Sequence, residues 1–228
     1  MAFIINACSI VLGGMLGGAF KKRVDIKNLF ALSMGIMLIS IIGVFENIVS
    51  ISGGRIVGEH TVVVSIALIL GYYIGDVLKL DDRLQKLSNE SNKEKNGLVE
   101  SILYFGIGGL QISAPILYVL EGNSFQLVVK SVIDFPFALI FGATYGKRIT
   151  LSAIAVTAGQ LIIGALAYCL GDFFNSDLLC QICSLGYIIL FFTGFNMICP
   201  HQNKIKNINM IPGIFLITVY NLIVEVFV

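Results

Sequence analysis

The sequence predicts an all-helical bundle that spans a membrane about eight times. The chain of 228 residues is 57% hydrophobic and only 13% charged, with a mean hydropathy of +0.90, which is far more apolar than a water-soluble domain. Apolar segments long enough to cross the ~30 Å hydrocarbon core as helices recur along its whole length. Basic residues, finally, concentrate in alternate connections between these segments.

Eight apolar segments define the predicted spans. They cover residues 3–20, 29–48, 61–79, 98–120, 125–146, 149–170, 178–199 and 208–227. The first segment lacks the basic region that precedes the core of a cleavable signal peptide, so we interpret it as a retained span.

The basic residues predict the orientation of these spans. Those in the connections after the first, third, fifth and seventh spans are Lys21, Lys22, Arg23, Lys27, Lys79, Arg83, Lys86, Lys93, Lys95, Lys147, Arg148, Lys204 and Lys206. The other connections contain only Arg55. Because cytoplasmic loops are rich in lysine and arginine, this alternation predicts eight spans with both termini outside the cytoplasm.

A polar segment, residues 81–97, divides the predicted single membrane domain 1–228. It separates a first half of three spans, 1–80, from a second half of five spans, 98–228. Leu80, Leu84 and Leu87 are at helical spacing, which predicts a short amphipathic helix after the third span. We interpret the segment as a hinge between the halves, with a solvated connector as the alternative.

Three GxxxG pairs lie near the predicted cytoplasmic ends of spans one, three and five. They are Gly14 with Gly18, Gly71 with Gly75, and Gly142 with Gly146. Small residues four apart allow helix backbones to approach closely within a membrane. A GxxxGxxxK pattern shared by spans one and three also suggests a duplicated unit. The glycine faces could pack within the chain or form a homodimer, and both alternatives stay open.

Lys130 and Asp134 are the most informative polar residues. They lie four apart in span five, and therefore on one face of a helix. An isolated charge at the bilayer centre costs about 2.5–3.5 kcal/mol on insertion scales, so such residues face a partner or a cavity. The pair is either a mutually neutralising structural contact or part of a solute or ion site.

Interrupted backbone near this pair favours the site. Pro136 removes a helical hydrogen bond just after Asp134, and the preceding span contains the sequence GIGGLQISAP, from Gly106 to Pro115. Interrupted helices with polar groups near mid-membrane are typical of transporter sites. The predicted solute-binding or ion-binding residues are Lys130, Ser131, Asp134, Gln111 and Ser113. Further residues that could line the same cavity, or else form interhelical hydrogen bonds, are Asn6, Gln160, Asn196 and Asn209.

Other functional classes find little support in the sequence. No HExxH, GxSxG or Walker-type motif is present, so we predict no enzymatic activity and no cofactor. His60 and His201 lie in connections on opposite sides of the membrane, and we predict no metal site. Cys180 and Cys183 form a CxxC whose alternatives are packing, an outer disulfide with Cys169, or metal binding. The net charge of +1 argues against nucleic acid as a partner.

Four stretches of the sequence resemble a known family. They are INACSIVLGGMLGG followed by KKR, GYYIGDVLKLDDRLQKL, KSVID, and NKIKNINMIP. In this order they resemble the YdfK/YqgA-like bacterial inner-membrane proteins of unknown function, which are often labelled as transport proteins. The resemblance implies a multi-pass protein of the inner (cytoplasmic) membrane and matches Lys130, Ser131 and Asp134 to a family motif. Asp76 departs from the glutamate expected at the end of span three.

We therefore predict a secondary transporter or channel for a small solute or ion, with the lipid bilayer and that solute as partners. Lys130 would attract an anionic group, Asp134 would hold a cation or proton, and Gln111 with Ser131 would orient the solute. The broken backbone from Gly108 to Pro115 would supply unpaired carbonyls or amides. The alternative is a membrane scaffold or sensor that binds partner helices through its GxxxG faces.

Overall fold

The computed structural model describes residues 2–20, 26–52, 55–58, 60–88, 93–106, 109–198 and 205–227. The α-helices in these residues are α1 (Ala2–Ala19), α2 (Ile26–Ile48), α3 (Thr61–Val77), α4 (Leu80–Ser88), α5 (Lys93–Gly106), α6 (Gly109–Glu121), α7 (Phe125–Tyr145), α8 (Ser152–Cys169), α9 (Ser176–Ile198) and α10 (Pro212–Phe227). Short 3₁₀ helices form at Lys147–Leu151, Gly171–Phe173 and Asn207–Met210. An antiparallel hairpin of β1 (Val49–Ser52) and β2 (Arg55–Gly58), which the sequence analysis did not predict, connects α2 to α3.

The predicted helical membrane bundle is confirmed as a class. Among the described residues, five helical segments are long and apolar enough to cross a membrane: Ala2–Ala19, Phe125–Tyr145, Lys147–Cys169, Ser176–Ile198 and Asn207–Glu225. A sixth is formed if the pair Gly97–Gly106 and Leu110–Glu121, bent by 50°, counts as one broken span. The segments Ser33–Ile48 and Thr61–Val77 are shorter apolar helices. Each of the eight predicted spans therefore contains apolar helix.

The helices group into two compact units that interleave along the chain. The first unit comprises Met1–Leu32 and Asp82–Gly171, and the second comprises Ser33–Asp81 and Asp172–Val228. Each unit therefore contains residues from both predicted halves, the one before residues 81–97 and the one after them. The short helix expected from the leucine spacing forms as α4, directly after Lys79, whose φ is 53°. The hinge role of residues 81–97 stays a prediction.

In the first unit, α1 packs its glycine face on the backbone of α7. A methyl group added at Gly13 would meet Phe135 and Ala138, and one added at Gly17 would meet the backbone of Leu139. Gly142 of α7 faces the backbone of Gly14 in return. Two helices approach this closely only where neither carries a side chain at the contact.

In both units, a helix that contains a GxxxG pair packs against a 3₁₀ helix. In the first unit, Gly14 of α1 faces Ile149 and Gly18 faces Lys147, both in the 3₁₀ helix that leads into α8. In the second unit, Gly75 of α3 faces Asn209 in the 3₁₀ helix that leads into α10, and Gly71 faces Gly213 at the start of α10. The same arrangement therefore occurs in both units, and the duplicated unit that the shared GxxxGxxxK pattern suggests stays a prediction.

Gly146 differs from the other glycines of the GxxxG pairs. It is the residue after the last turn of α7, with φ 98° and ψ 179°, and its N–H donates to the carbonyl oxygen of Gly142. Residues with a side chain rarely adopt this conformation. Gly146 therefore ends α7 and starts the turn into the 3₁₀ helix, a role different from the helix-packing one that the GxxxG pattern predicts.

Candidate functional site

A buried ion pair lies at the centre of the candidate site. Lys130 Nζ lies 2.9 Å from Asp134 Oδ2, and the two side chains are only 5% and 6% exposed. Both residues belong to α7, and Asp134 is the tenth of its 21 residues. The pair is therefore near the middle of a helix long enough to cross the bilayer. The two side chains are in contact, as residues four apart on one face of a helix can be.

The Lys130 ammonium also binds the end of a broken helix. Its Nζ donates a hydrogen bond of 3.0 Å to the carbonyl oxygen of Phe105, one residue before α5 ends at Gly106. The last carbonyls of a helix have no partner within that helix, and the helix dipole places negative charge there. Lys130 thus compensates both the Asp134 carboxylate and the carboxyl end of α5. Gly108, predicted to contribute freed backbone groups, lies outside the described residues.

Asn6 brings α1 into the site. Its side chain is 0% exposed and lies beside the Asp134 carboxylate. Within the described part of the chain, however, neither Asn6 Nδ2 nor Asn6 Oδ1 makes a hydrogen bond of ordinary geometry. Buried amide groups without hydrogen bonds are rare because they cost free energy. An unsatisfied amide beside a buried ion pair therefore calls for an explanation.

Serine side chains fix α1 against α7 at the same level. Ser9 Oγ donates to the carbonyl oxygen of Ser131 at 2.6 Å. The Ser131 hydroxyl donates within its own helix, to the carbonyl oxygen of Leu127 at 2.7 Å. Ser131 can therefore contact a solute only with its oxygen lone pairs unless this bond is released.

A second group of polar side chains links α6 to α8. Gln111 Nε2 donates to the carbonyl oxygen of Val156 at 2.9 Å, and Gln160 Nε2 donates to Gln111 Oε1 at 3.2 Å. Gln160 Oε1 and Thr157 Oγ1 are buried and accept or donate no hydrogen bond among the residues that the structure describes. The Ser113 hydroxyl donates to Gln126 Oε1 at 2.7 Å. The amides of Gln111 and Gln160 thus form a buried pair with one open acceptor.

The contacts of α1 place its asparagine level with the middle of α8. Phe3 of α1 lies near Gly164 of α8, and Gly14 lies near Ile149, just before α8 begins. The two helices therefore run antiparallel, and Asn6 falls between these contacts. Gln160 is the ninth of the 18 residues of α8. Asn6 thus lies roughly level with Gln160, between these two contacts.

Two predicted cavity residues lie in the second unit and bind locally. Asn196 Nδ2 donates to the carbonyl oxygen of Ile205 at 2.7 Å, and Asn196 Oδ1 accepts from the N–H of Ile205 at 2.8 Å. Asn209 Oδ1 accepts from the N–H of Asp81 at 3.0 Å, and Asn209 Nδ2 donates to Asp76 Oδ1 at 3.3 Å. Both asparagines thus hold chain segments at the ends of helices.

Several polar groups of the first unit were not predicted from the sequence. Ser9, Thr157 and Gln126 were not proposed, nor was the carbonyl oxygen of Phe105. Gln126 could have been found, because it precedes Lys130 by four residues, as Lys130 precedes Asp134, and all three are buried on α7. No comparable signal identifies a backbone carbonyl of another helix.

The second unit contains a further polar chain that spacing did not reveal. Gln181 Nε2 lies 3.2 Å from His60 Nδ1, and Asn221 Nδ2 donates to Gln181 Oε1 at 2.8 Å. His60 Nε2 is 3.8 Å from the exposed carboxylate of Asp177. Cys180 and Cys183 lie beside this chain on α9, and Cys183 is buried. The searched residues hold no cluster of three metal-ligating side chains.

Comparison with known proteins adds a family and two relatives. The family described as "Protein of unknown function (DUF554)" matches residues 1–222. The "Uncharacterized membrane protein YdfK" of Bacillus subtilis is 24% identical over 228 residues, covering 98% of this chain and 96% of the relative. The "Uncharacterized protein YqgA" of Escherichia coli is 23% identical over 232 residues, covering 93% and 92%. No solved structure matches the chain.

Proposed function

The chain belongs to the DUF554 family of membrane proteins, and from this premise we propose that it is a secondary transporter or channel for a small solute or ion. Its site is the buried polar group of the first unit, centred on Lys130 and Asp134. The proposal places the protein in the bacterial inner membrane, with eight spans and both termini outside the cytoplasm. It requires no enzymatic step, metal or cofactor.

The observation that carries the proposal is the buried ion pair at mid-helix, bound to the end of a broken helix and beside the buried amide of Asn6. A buried ion pair is costly to desolvate and contributes little net stability compared with apolar packing. Ionisable residues inside a membrane usually mark a substrate or ion pathway. A purely structural pair would also leave the open groups of Asn6 and Gln160 without a purpose, since unsatisfied buried amides are destabilising.

The chemistry of the site divides between its two charges. Lys130 presents an ammonium that can bind an anionic group, and Asp134 presents a carboxylate that can bind a cation or a proton. Gln111 lies near the start of α6, just after the break, and Ser131 lies on α7 next to Lys130, so both can orient a solute. When the ion pair opens, the Lys130 ammonium leaves the carbonyl oxygen of Phe105. A water molecule then takes its place as the hydrogen-bond donor.

The scaffold alternative has less support from the contacts. Gly14, Gly71 and Gly142 already face backbone or side chains within their own units. A partner helix would have to displace these contacts to use the same faces. A homodimer through another lipid-facing surface remains compatible with either function.

A binding screen tests the proposal directly. The purified full chain, in detergent, is heated with ions, organic acids, amino acids and other small metabolites, beside the variant Asp134→Asn. A ligand that binds only the folded state stabilises it by RT ln(1 + [L]/Kd), about 2.7 kcal/mol at a hundredfold excess over Kd. We expect at least one compound to raise the melting temperature of the wild type and not that of the variant. Flux of that compound into proteoliposomes then tests transport.

The control variant is Asp76→Asn, which neutralises an exposed carboxylate near Lys206 in the second unit. It should keep the ligand response of the wild type. If no compound stabilises the wild type, proteoliposomes show no flux, and Asp134→Asn only melts earlier, the pair is a structural contact and the proposal is wrong.

A further inference from the structure

We propose that the solute bound at this site is a zwitterion, a small molecule with one ammonium and one carboxylate group, such as an α-amino acid. This inference rests on the proposed function and names the substrate class of the same site.

The charge balance of the site favours a zwitterion. The site has one cationic and one anionic side chain, in contact at 2.9 Å and both almost fully buried. In the described part of the first unit, the other buried polar side chains are all uncharged: Asn6, Ser101, Gln111, Ser113, Gln126, Ser131, Ser152 and Gln160. A solute with a net charge would leave one buried charge without a counterpart, which is strongly unfavourable. A zwitterion leaves the net charge of the site at zero.

A zwitterion also replaces the broken ion pair completely. Its carboxylate takes the place of Asp134 beside the Lys130 ammonium, and its ammonium takes the place of Lys130 beside the Asp134 carboxylate. One ion pair thereby becomes two, and the i, i+4 spacing keeps both protein charges on the same helix face. A solute without charged groups cannot form an ion pair with either side chain, so it cannot compensate for the separation of Lys130 from Asp134.

A buried amide oxygen beside the pair matches the ammonium pole of such a solute. Asn6 Oδ1 has no hydrogen-bond partner among the described residues, and its side chain is fully buried beside Asp134. An amide oxygen only accepts hydrogen bonds, so it suits an ammonium and not a carboxylate. A site for a simple anion would have no use for this acceptor, and a simple cation would leave Lys130 without a counter-charge.

A set of matched probes tests the substrate class. The probes are glycine, L-alanine and γ-aminobutyrate as zwitterions, with propionate, ethylamine, N-acetyl-L-alanine and L-alaninamide as analogues that lack one charge. The full chain is reconstituted in lipid nanodiscs, and its melting temperature is measured with each probe at equal concentration. We expect at least one zwitterion to raise the melting temperature and every singly charged analogue to have no effect. Lys130→Gln and Asp134→Asn should lose the response, and Asp76→Asn should keep it.

A second variant tests the site without changing the ion pair, whose loss is expected to destabilise the fold. Asn6→Leu removes the open amide and leaves both charges in place. Calorimetric titration with the responding zwitterion should give a Kd raised about 10- to 100-fold, as expected for loss of a hydrogen bond to a charged group. An unchanged Kd would show that the amide does not contact the solute and would overturn the inference.

Other outcomes separate this inference from the proposed function. If propionate or ethylamine stabilises the protein as much as the zwitterions do, the zwitterion class is wrong while the Lys130 and Asp134 site remains. If no probe binds but an inorganic ion or organic acid crosses proteoliposomes in an Asp134-dependent way, the zwitterion class is wrong and transport stands. If nothing binds and nothing crosses, both are wrong.

Discussion

The Lys130 ammonium donates a 3.0 Å hydrogen bond to the carbonyl oxygen of Phe105, beside the point where α5 ends. The charge state of the pair on α7 is thereby linked to the backbone of a broken span. A change in how Lys130 is paired must also change how the end of α5 is satisfied. Binding at the pair and the shape of the α5 and α6 break therefore belong to one equilibrium.

Removing one partner of the ion pair should lower the stability of the protein strongly, whereas replacing both partners with apolar side chains should change it little. Asp134→Asn leaves Lys130 buried without a counter-charge, and we expect a loss of about 3–5 kcal/mol in the free energy of unfolding. The double variant Lys130→Met with Asp134→Leu has apolar side chains of similar volume and should unfold close to the wild type. Thermal unfolding in detergent, followed by circular dichroism, measures both.

The double variant also separates stability from function. It should fold and express as the wild type does, yet show no ligand response and no flux. A double variant that keeps full activity would rule out a functional role for the pair.

The contact between α1 and α7 should tolerate no side chain at Gly17. A methyl group there would overlap the backbone of Leu139, which cannot move independently of α7. We expect Gly17→Ala to lower the free energy of unfolding by about 1–3 kcal/mol or more. Gly35→Ala is the matched control, because a methyl group at Gly35 of α2 meets nothing within 4 Å. Equal melting temperatures for the two variants would contradict the packing described for α1.

The turn after α7 should depend on glycine at position 146. Its φ of 98° and ψ of 179° lie in a region that is nearly exclusive to glycine. We expect Gly146→Ala to destabilise the protein by about 1–3 kcal/mol. Thermal unfolding beside Gly106→Ala, a helical position where a methyl group meets nothing within 4 Å, provides the comparison. A cost no larger than that of the control would mean that the turn adopts another conformation.

The amides of Gln111 and Gln160 should be energetically coupled. Gln160 Nε2 donates to Gln111 Oε1 at 3.2 Å, and each side chain is buried. In a double-mutant cycle with leucine at each position, we expect a coupling of about 0.6 kcal/mol and no more than about 1.7 kcal/mol, the average and maximum measured for interhelical hydrogen bonds in a membrane protein. Reversible unfolding of the four proteins gives the value. Strict additivity would show that the two amides do not interact.

The predicted eight-span topology can be tested with single cysteines. In a variant whose five native cysteines are replaced by serine, Asn123→Cys lies between α6 and α7, and Lys86→Cys lies in α4. The positive-inside rule places position 123 outside the cytoplasm and position 86 inside. A membrane-impermeant maleimide added to intact cells, with the outer membrane made permeable where one is present, should therefore label the first and not the second. The opposite labelling would invert the orientation, and labelling of both or neither would require an even number of spans between them.

Hydropathy and spacing predicted most of the helices because both depend only on local sequence. The Lys130 and Asp134 contact was predictable for the same reason, since i and i+4 residues meet on any helix. In the structure, Gly142 lies against the backbone of Gly14 and Gly71 lies against the backbone of Gly213, while the helix-packing role of the GxxxG pairs stays a prediction. At Gly146 the same pattern was misleading, because a glycine one residue past a helix end serves the turn instead.

The partners of these residues could not be predicted, because they come from distant parts of the chain. Nothing local pairs Lys130 with the carbonyl oxygen of Phe105, or Ser9 with Ser131. The grouping of helices into interleaved units is equally non-local, since alternate basic loops fix the direction of a helix but not its neighbours. The two-stranded hairpin between α2 and α3 was also missed, because its four-residue strands are too short for a periodic signal.

The packing of α1 on α7 has a consequence for how the protein is made. Ser9 and the Ser131 carbonyl are 122 residues apart, so at about 5–20 residues per second a ribosome takes roughly 6–25 s to synthesise the second after the first. During that time the glycine face of α1 has entered the membrane without the helix it fits. During biogenesis α1 must therefore stay beside the insertion machinery or in lipid, with its glycine face unpaired, until the fifth span has been inserted.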